Sequence, residues 1–277
     1  MRQTLSRTLL RKIYISRAIN RDCSRKLDNT VITIDDAAKQ VLIADTSTNY
    51  QSKLFSKKWI IKGDSISDIQ YLTGIKKYYE YISEDTGIIV DAYGGAGSGY
   101  AREKTNKDST KVTNGIFHEG IEELPDKCDI FTLFGGTNDW KCDNVNYPLG
   151  NIGDTGLTTI TGFIKQCFEN VRSKYANGDT LITVFTPLPR AECYPLIDKS
   201  GEVTTKPHGY TLGELSYRIM ELSELYNFKC LDLYHLARCY CYNDVFRQKY
   251  MYDTVHYNSK GNELFAKDIK GFLESLF

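Results

Sequence analysis

Along residues 57–277, short apolar runs alternate with longer amphipathic stretches. The runs are Trp59-Ile60-Ile61, Ile88-Ile89-Val90, Ile130-Phe131-Thr132-Leu133-Phe134, Leu181-Ile182-Thr183-Val184-Phe185 and Cys230-Leu231-Asp232-Leu233. Between them lie helix-like segments at 75–83, 157–175 and 212–226, with a last one from Gly261 to the end. Antiparallel neighbours need only a tight turn, whereas parallel strands need a crossover of helical length. The alternation therefore predicts an α/β chain folded as a three-layer α/β/α sandwich around a parallel sheet. In such sheets ligands bind beyond the carboxyl ends of the strands, so the residues following each run are the candidates for function.

The preceding residues follow a different pattern. Residues 1–28 carry eight Arg or Lys against Asp22 and Asp28, which reads as a solvated, partly helical leader or as a basic arm that docks on a partner. Val31-Ile32-Thr33-Ile34 and Gln40-Val41-Leu42-Ile43 predict two short strands, and the polar stretch 45–56 predicts a linker. Two pieces are expected: a small β appendage with its leader and linker over 1–56, and a main domain over 57–277.

Thirty-five basic residues balance thirty-five acidic ones, so there is no net field to draw the chain to nucleic acid or to an anionic membrane. Arg11, Lys12 and Arg17 interrupt the apolar residues near the start, so no export signal is visible. No run reaches the ~18 apolar residues of a membrane span. Eight cysteines in a chain of 277 residues read as buried thiols rather than as a disulfide framework. His235, Cys239 and Cys241 lack a paired CxxC and a fourth ligand, so no metal is expected.

The first run leads into Gly63-Asp64-Ser65, where a tight turn can project a hydroxyl into the cleft and make Ser65 a nucleophile. Gly-Asp-Ser alone is also ordinary turn chemistry. The second leads into Tyr93-Gly94-Gly95-Ala96-Gly97-Ser98-Gly99-Tyr100, which has neither the P-loop lysine nor the GxGxxG spacing of a nucleotide cradle. A backbone N–H exposed there suits a developing oxyanion, with Gly99 as first choice and Gly97 second. The third ends in Gly135-Gly136-Thr137-Asn138-Asp139-Trp140, where the Asn138 amide can donate to the same oxygen. Before the last helix, Asp253-Thr254-Val255-His256 supplies a base and a carboxylate to orient it.

Asp232 and His235 repeat that spacing, but Asp232 falls within an apolar run whose extended geometry separates such side chains. His118 and His208 read as exposed loop histidines. Arg190, after the fourth run, reads as a loop tie or as a contact for an anionic substrate group.

The order nucleophile, donor, donor, base, each beyond a strand or before the last helix, resembles the SGNH hydrolases, also called the GDSL esterase and lipase family. The resemblance spans 57–277 and rests on Gly63-Asp64-Ser65, Gly97-Ser98-Gly99, Gly136-Thr137-Asn138-Asp139 and Asp253-Thr254-Val255-His256, with Ile66 where the family name has Leu. It implies a flavodoxin-like five-stranded sheet, a Ser65–His256–Asp253 triad, an oxyanion hole of the Ser65 and Gly99 N–H groups with Asn138, and no cofactor. Lys57 to Ser65, Phe131 to Trp140 and Phe185 to Arg190 are similar to domains of Gram-positive bacteria and of phage tail proteins, which suggests a cytoplasmic or virion-associated protein.

The expected reaction is ester hydrolysis through an acyl-enzyme, with a short acyl group on a carbohydrate as the expected substrate. Tyr93, Tyr100, Trp140 and Tyr257 adjoin the blocks and offer aromatic faces to sugar rings, so Tyr100, Trp140, Arg190 and Tyr257 are the candidate substrate contacts. The other readings are a glycan-binding or virion structural module on the same fold, and an acyltransferase or lipase using the same triad.

Overall fold

The computed structural model describes the backbone of 24–27, 30–35 and 40–45, and residues 51–101, 116–141, 147–193 and 206–277 in full. The chain divides into two compact units, 1–51 and 52–277. In the first, β1 (Ser24–Leu27), β2 (Thr30–Asp35) and β3 (Gln40–Asp45) form an antiparallel sheet with Ser24 opposite Thr33 and Thr30 opposite Asp45. Strand β1 lies where the charge pattern predicted a partly helical leader, so Arg25 and Lys26 are strand residues. The rest of the basic arm, 1–23, and residues 46–50 of the expected linker lie outside the described residues.

In the second unit, β4 (Lys58–Gly63), β5 (Ile89–Gly94), β6 (Ile130–Phe134), β7 (Leu181–Phe185) and β8 (Lys229–Leu231) form one sheet in the order β5-β4-β6-β7-β8. Every pairing is parallel. The order reverses at β4, and in open parallel sheets ligands bind beyond the carboxyl end of the strand where the order reverses.

Side chains alternate along a strand, and here each face of the sheet has its own core. Ile60, Phe131, Leu133 and Val184 pack on one side with α3 (Ile160–Lys174) and α4 (Leu212–Leu225), through Phe163, Cys167, Phe168, Leu215 and Ile219. Trp59, Ile61, Ile130, Phe134 and Phe185 pack on the other with α1 (Tyr78–Thr86) and α7 (Ser259–Ser275), through Tyr78, Ile82, Phe265 and Ile269. The three layers follow from this division. Shorter helices α2 (Thr137–Trp140), α5 (Leu233–Leu236) and α6 (Asp244–Tyr250), with a 3-10 turn at Ala191–Cys193, occupy the connections.

The helix starts follow capping chemistry. Thr159 accepts from Gly162 N–H, Thr211 and Glu214 form a reciprocal capping box, and Asn258 accepts from Gly261 N–H. Residues 52–56 fold with the larger unit rather than linking to it. Leu54 is fully buried, and Ser52 Oγ donates to Glu274 at 2.7 Å.

Candidate active site

Strand β4 ends at Gly63 and the chain turns at once, with Ser67 N–H donating to Asp64 O at 3.1 Å and Ile66 N–H to Asp64 Oδ1 at 2.9 Å. The turn folds back so tightly that a Cβ at Gly63 would fall 2.6 Å from Ser67 Oγ, so a glycine is required there. Ser65 is thereby placed at the carboxyl end of a central strand, and only 4% of its surface is exposed.

His256 comes from a distant part of the sequence. Tyr252 N–H donates to His256 O at 2.8 Å, and Met251 bridges Tyr257 across a narrow antiparallel loop. The Tyr257 hydroxyl is buried and donates to Pro189 O at 2.7 Å, while Asn258 caps α7 immediately afterwards. His256 is thus held between a buried anchor and a capped helix. Its Nε2 lies 2.8 Å from Ser65 Oγ, and its Nδ1 lies 2.8 Å from Asp253 Oδ2. The other Asp253 oxygen accepts Val255 N–H at 2.7 Å and His256 N–H at 2.6 Å. Burial alone would raise the Asp253 carboxyl, but these N–H groups and the imidazole hold it below the usual carboxylate range.

Two of the backbone donors expected from the sequence are unclaimed. The N–H groups of Ser65 and Gly99 have no hydrogen-bond partner among the described residues. Asn138, in the first turn of α2, donates one amide hydrogen to Ser98 O at 2.9 Å, which fixes the carboxamide and leaves its second N–H unused.

Sequence reasoning gave no role to the carboxylates that hold these parts together. Asp139 is fully buried and accepts Tyr100 N–H at 2.9 Å and Ala101 N–H at 2.7 Å, joining the glycine-rich loop to α2. A Cβ at Gly99 would come within 2.4 Å of Asp139 Oδ2, so that carboxylate also explains the glycine. Asp68 accepts Ala96 N–H at 3.0 Å and Gln70 N–H at 2.8 Å, joining the same loop to the Ser65 turn. Lys77, also buried, reaches Ser65 O with its ammonium at 3.2 Å. Asp139 belongs to the third block but was given no role there, and Asp68 and Lys77 offered only their polarity after the Ser65 turn.

The four candidate substrate contacts are corrected, because each is buried and occupied. Tyr100 is fully buried against Phe117 and Phe168. Trp140 is 1% exposed and donates Nε1–H to Tyr210 O. Tyr257 is the anchor described above. Arg190 donates to Thr137 O and Oγ1, pairs with Glu192 and lies over the Trp140 ring, so it ties the loop after β7 to α2. Among the described residues, Tyr71 lies beside His256, with ring centroids 5.0 Å apart, and the exposed Tyr252 immediately precedes Asp253.

The Asp232–His235 pair also forms, contrary to the extended geometry expected for it. Strand β8 stops at Leu231 and Asp232 caps α5, so Asp232 Oδ1 accepts His235 N–H at 3.1 Å and Oδ2 lies 2.8 Å from Nδ1. Its ring packs on Tyr217 and Tyr234, and among the described residues no serine or cysteine bonds to it. His118 is half-buried rather than exposed; burial lowers its pKa. Among the described residues no cluster of His, Cys, Asp and Glu is arranged to hold a metal ion. No described helix is long and apolar enough to cross a membrane.

A five-stranded parallel sheet with a serine, a glycine-rich loop, an asparagine and an Asp-x-x-His loop at its carboxyl edge is the SGNH/GDSL hydrolase fold. Solved structures share it. A protein from Lactobacillus plantarum is similar at 23% identity and TM-score 0.62, covering 80% of this chain and 99% of that one. A protein of Chitinophaga pinensis described as a possible lipase is similar at 22% identity and TM-score 0.58, over 80% and 99%. A protein of Bacteroides ovatus described as a putative GDSL-like lipase is similar at 15% identity and TM-score 0.52, over 79% and 99%. No family model and no curated protein matches the sequence.

Proposed function

We propose that this chain is a serine ester hydrolase that works through an acyl-enzyme and removes acetyl or other short acyl groups from a carbohydrate. The observation that carries this reading is the continuous relay from Ser65 Oγ through His256 to Asp253, with both contacts at 2.8 Å. His256 Nε2 takes the Ser65 proton as Oγ bonds to the ester carbonyl carbon, and the carbonyl electron pair moves onto oxygen. Ser65 N–H, Gly99 N–H and the second Asn138 N–H stabilise that oxygen. The C–O bond to the alcohol then breaks, and the alcohol leaves with the proton from His256. Water repeats the sequence on the acyl-enzyme and releases the acid. Asp253, held ionised by its N–H donors, keeps Nδ1 as the donor to its carboxylate, which leaves Nε2 to take the proton and give it back. A nucleophile only 4% exposed favours a narrow acyl group over a long chain.

The test is turnover of p-nitrophenyl acetate and butyrate, with fluorophosphonate labelling, in wild type and Ser65→Ala. Serine-dependent labelling and a loss of about 10⁴-fold or more in turnover are expected. Equal inertness of two folded proteins would overturn the hydrolase reading and favour a glycan-binding module.

A further inference from the structure

In the reaction above, the departing alcohol oxygen receives its proton from His256 Nε2. The alcohol half of the ester must therefore lie on the imidazole side of Ser65, while the carbonyl oxygen faces Gly99 and Asn138. The side chains beside the imidazole then decide which alcohols fit.

Tyr71 follows the nucleophile turn, and its ring is tilted 52° against the His256 ring with centroids 5.0 Å apart. Unlike Tyr78, Tyr175, Tyr210 and Tyr257, whose hydroxyls bond within the protein, the Tyr71 hydroxyl has no partner among the described residues. Tyr252 lies in the loop that bears Asp253 and His256, donates its N–H to His256 O at 2.8 Å, and is 61% exposed. Ile69, from the same segment as Tyr71, is 60% exposed. Two phenol rings with unclaimed hydroxyls present flat apolar faces bordered by hydrogen-bonding groups. This matches a saturated ring whose C–H faces alternate with equatorial hydroxyls. A simple alkyl alcohol uses neither feature.

We infer that Tyr71 and Tyr252 form the leaving-group subsite, and that it selects esters whose alcohol is a pyranose hydroxyl. This rests on the serine hydrolase reading and adds to it the half of the substrate that is recognised and the residues that recognise it. Because acetyl esters of every alcohol give the same acyl-enzyme, the subsite acts on acylation and is silent in deacylation.

The experiment compares kcat/KM for an acetylated methyl pyranoside with that for ethyl acetate in wild type, Tyr71→Ala, Tyr71→Phe and Tyr252→Ala, with fluorophosphonate labelling of Ser65 recorded in each. Wild type is expected to prefer the pyranoside, and Tyr71→Ala to lower the pyranoside-to-ethyl ratio by about tenfold. Tyr71→Phe should recover the stacking part of that loss but not the part due to the hydroxyl. If both esters and the labelling rate fall together, Tyr71 only supports the imidazole and the inference fails while the hydrolase reading stands. A wild type that hydrolyses both esters without preference has the same meaning. Absence of Ser65-dependent turnover on every ester overturns both.

Discussion

Asp64 shows how much one residue beside a nucleophile can influence the whole fold. Burial pushes its carboxyl from 3.8 up to about 7; the Asp139 carboxylate adds to this, and Ile66 N–H, Lys77 and Arg190 oppose it. Below 3.8 both folded and unfolded chains hold the proton. Between there and about 7 only the folded chain does, so its contribution to stability is lost as pH rises through that window. Asn at this position still accepts from Ile66 N–H and cannot ionise. Asp64→Asn should therefore lose less stability than wild type between about pH 4 and about pH 8, measured as urea midpoints; parallel curves would contradict this. Asn138→Ala belongs to the same scale. On the proposed mechanism it removes one oxyanion donor and should lower kcat about 100- to 1,000-fold while leaving KM little changed, as read by steady-state kinetics. Ser65, Asn138, Asp253 and His256 were singled out because each follows a strand or precedes the last helix, and the structure brings Ser65, His256 and Asp253 into contact. Tyr100, Trp140 and Tyr257 were misread because position beside a motif does not say which way a ring faces. All three face inward, where their bulk fills the core.

At the scale of elements, the site is assembled by carboxylates that receive backbone N–H groups from a neighbouring segment. Asp139 joins α2 to the loop after β5, and Asp68 joins that loop to the Ser65 turn. Asp139→Asn replaces one acceptor with an NH₂ that confronts a backbone donor. It should cost about 1–3 kcal/mol of stability and displace the Gly99 N–H, so kcat falls; denaturant titration and kinetics report the two effects separately. The alternation of strands and helices was readable from hydrophobic spacing, and four of the expected segments became α1, α3, α4 and α7. Helix α1 starts at Tyr78, later than its apolar pattern, because Lys77 occupies the capping position and turns its ammonium to Ser65 O. Strand β8 ends early because Asp232 caps the next helix, a local competition that an apolar run conceals. Lys62 was also concealed: it is fully buried within β4, its ammonium lies 5.8 Å from the Phe117 ring centroid, and burial lowers its pKa to about 8.

For the whole molecule, the larger unit contains both cores and every residue of the site. A chain beginning at Ser52 should melt in one transition and hydrolyse p-nitrophenyl acetate about as fast as the full chain. One beginning at Lys57 loses Leu54 from the core and should be less stable by about 1.5–3 kcal/mol, seen by calorimetry or urea titration. That boundary was hard to read because 51–56 is polar apart from Leu54 and Phe55, and a single buried leucine leaves no periodicity. The two Asp-x-x-His turns have a consequence for the molecule as a whole. In both, four consecutive residues bring one carboxylate to a backbone N–H and to the imidazole together, whether or not a serine waits opposite. A base that carries its own orienter is portable. Substituting exposed side chains such as Ile69 or Tyr252 touches neither Asp253 contact to His256, so what surrounds this imidazole can vary while its orientation stays.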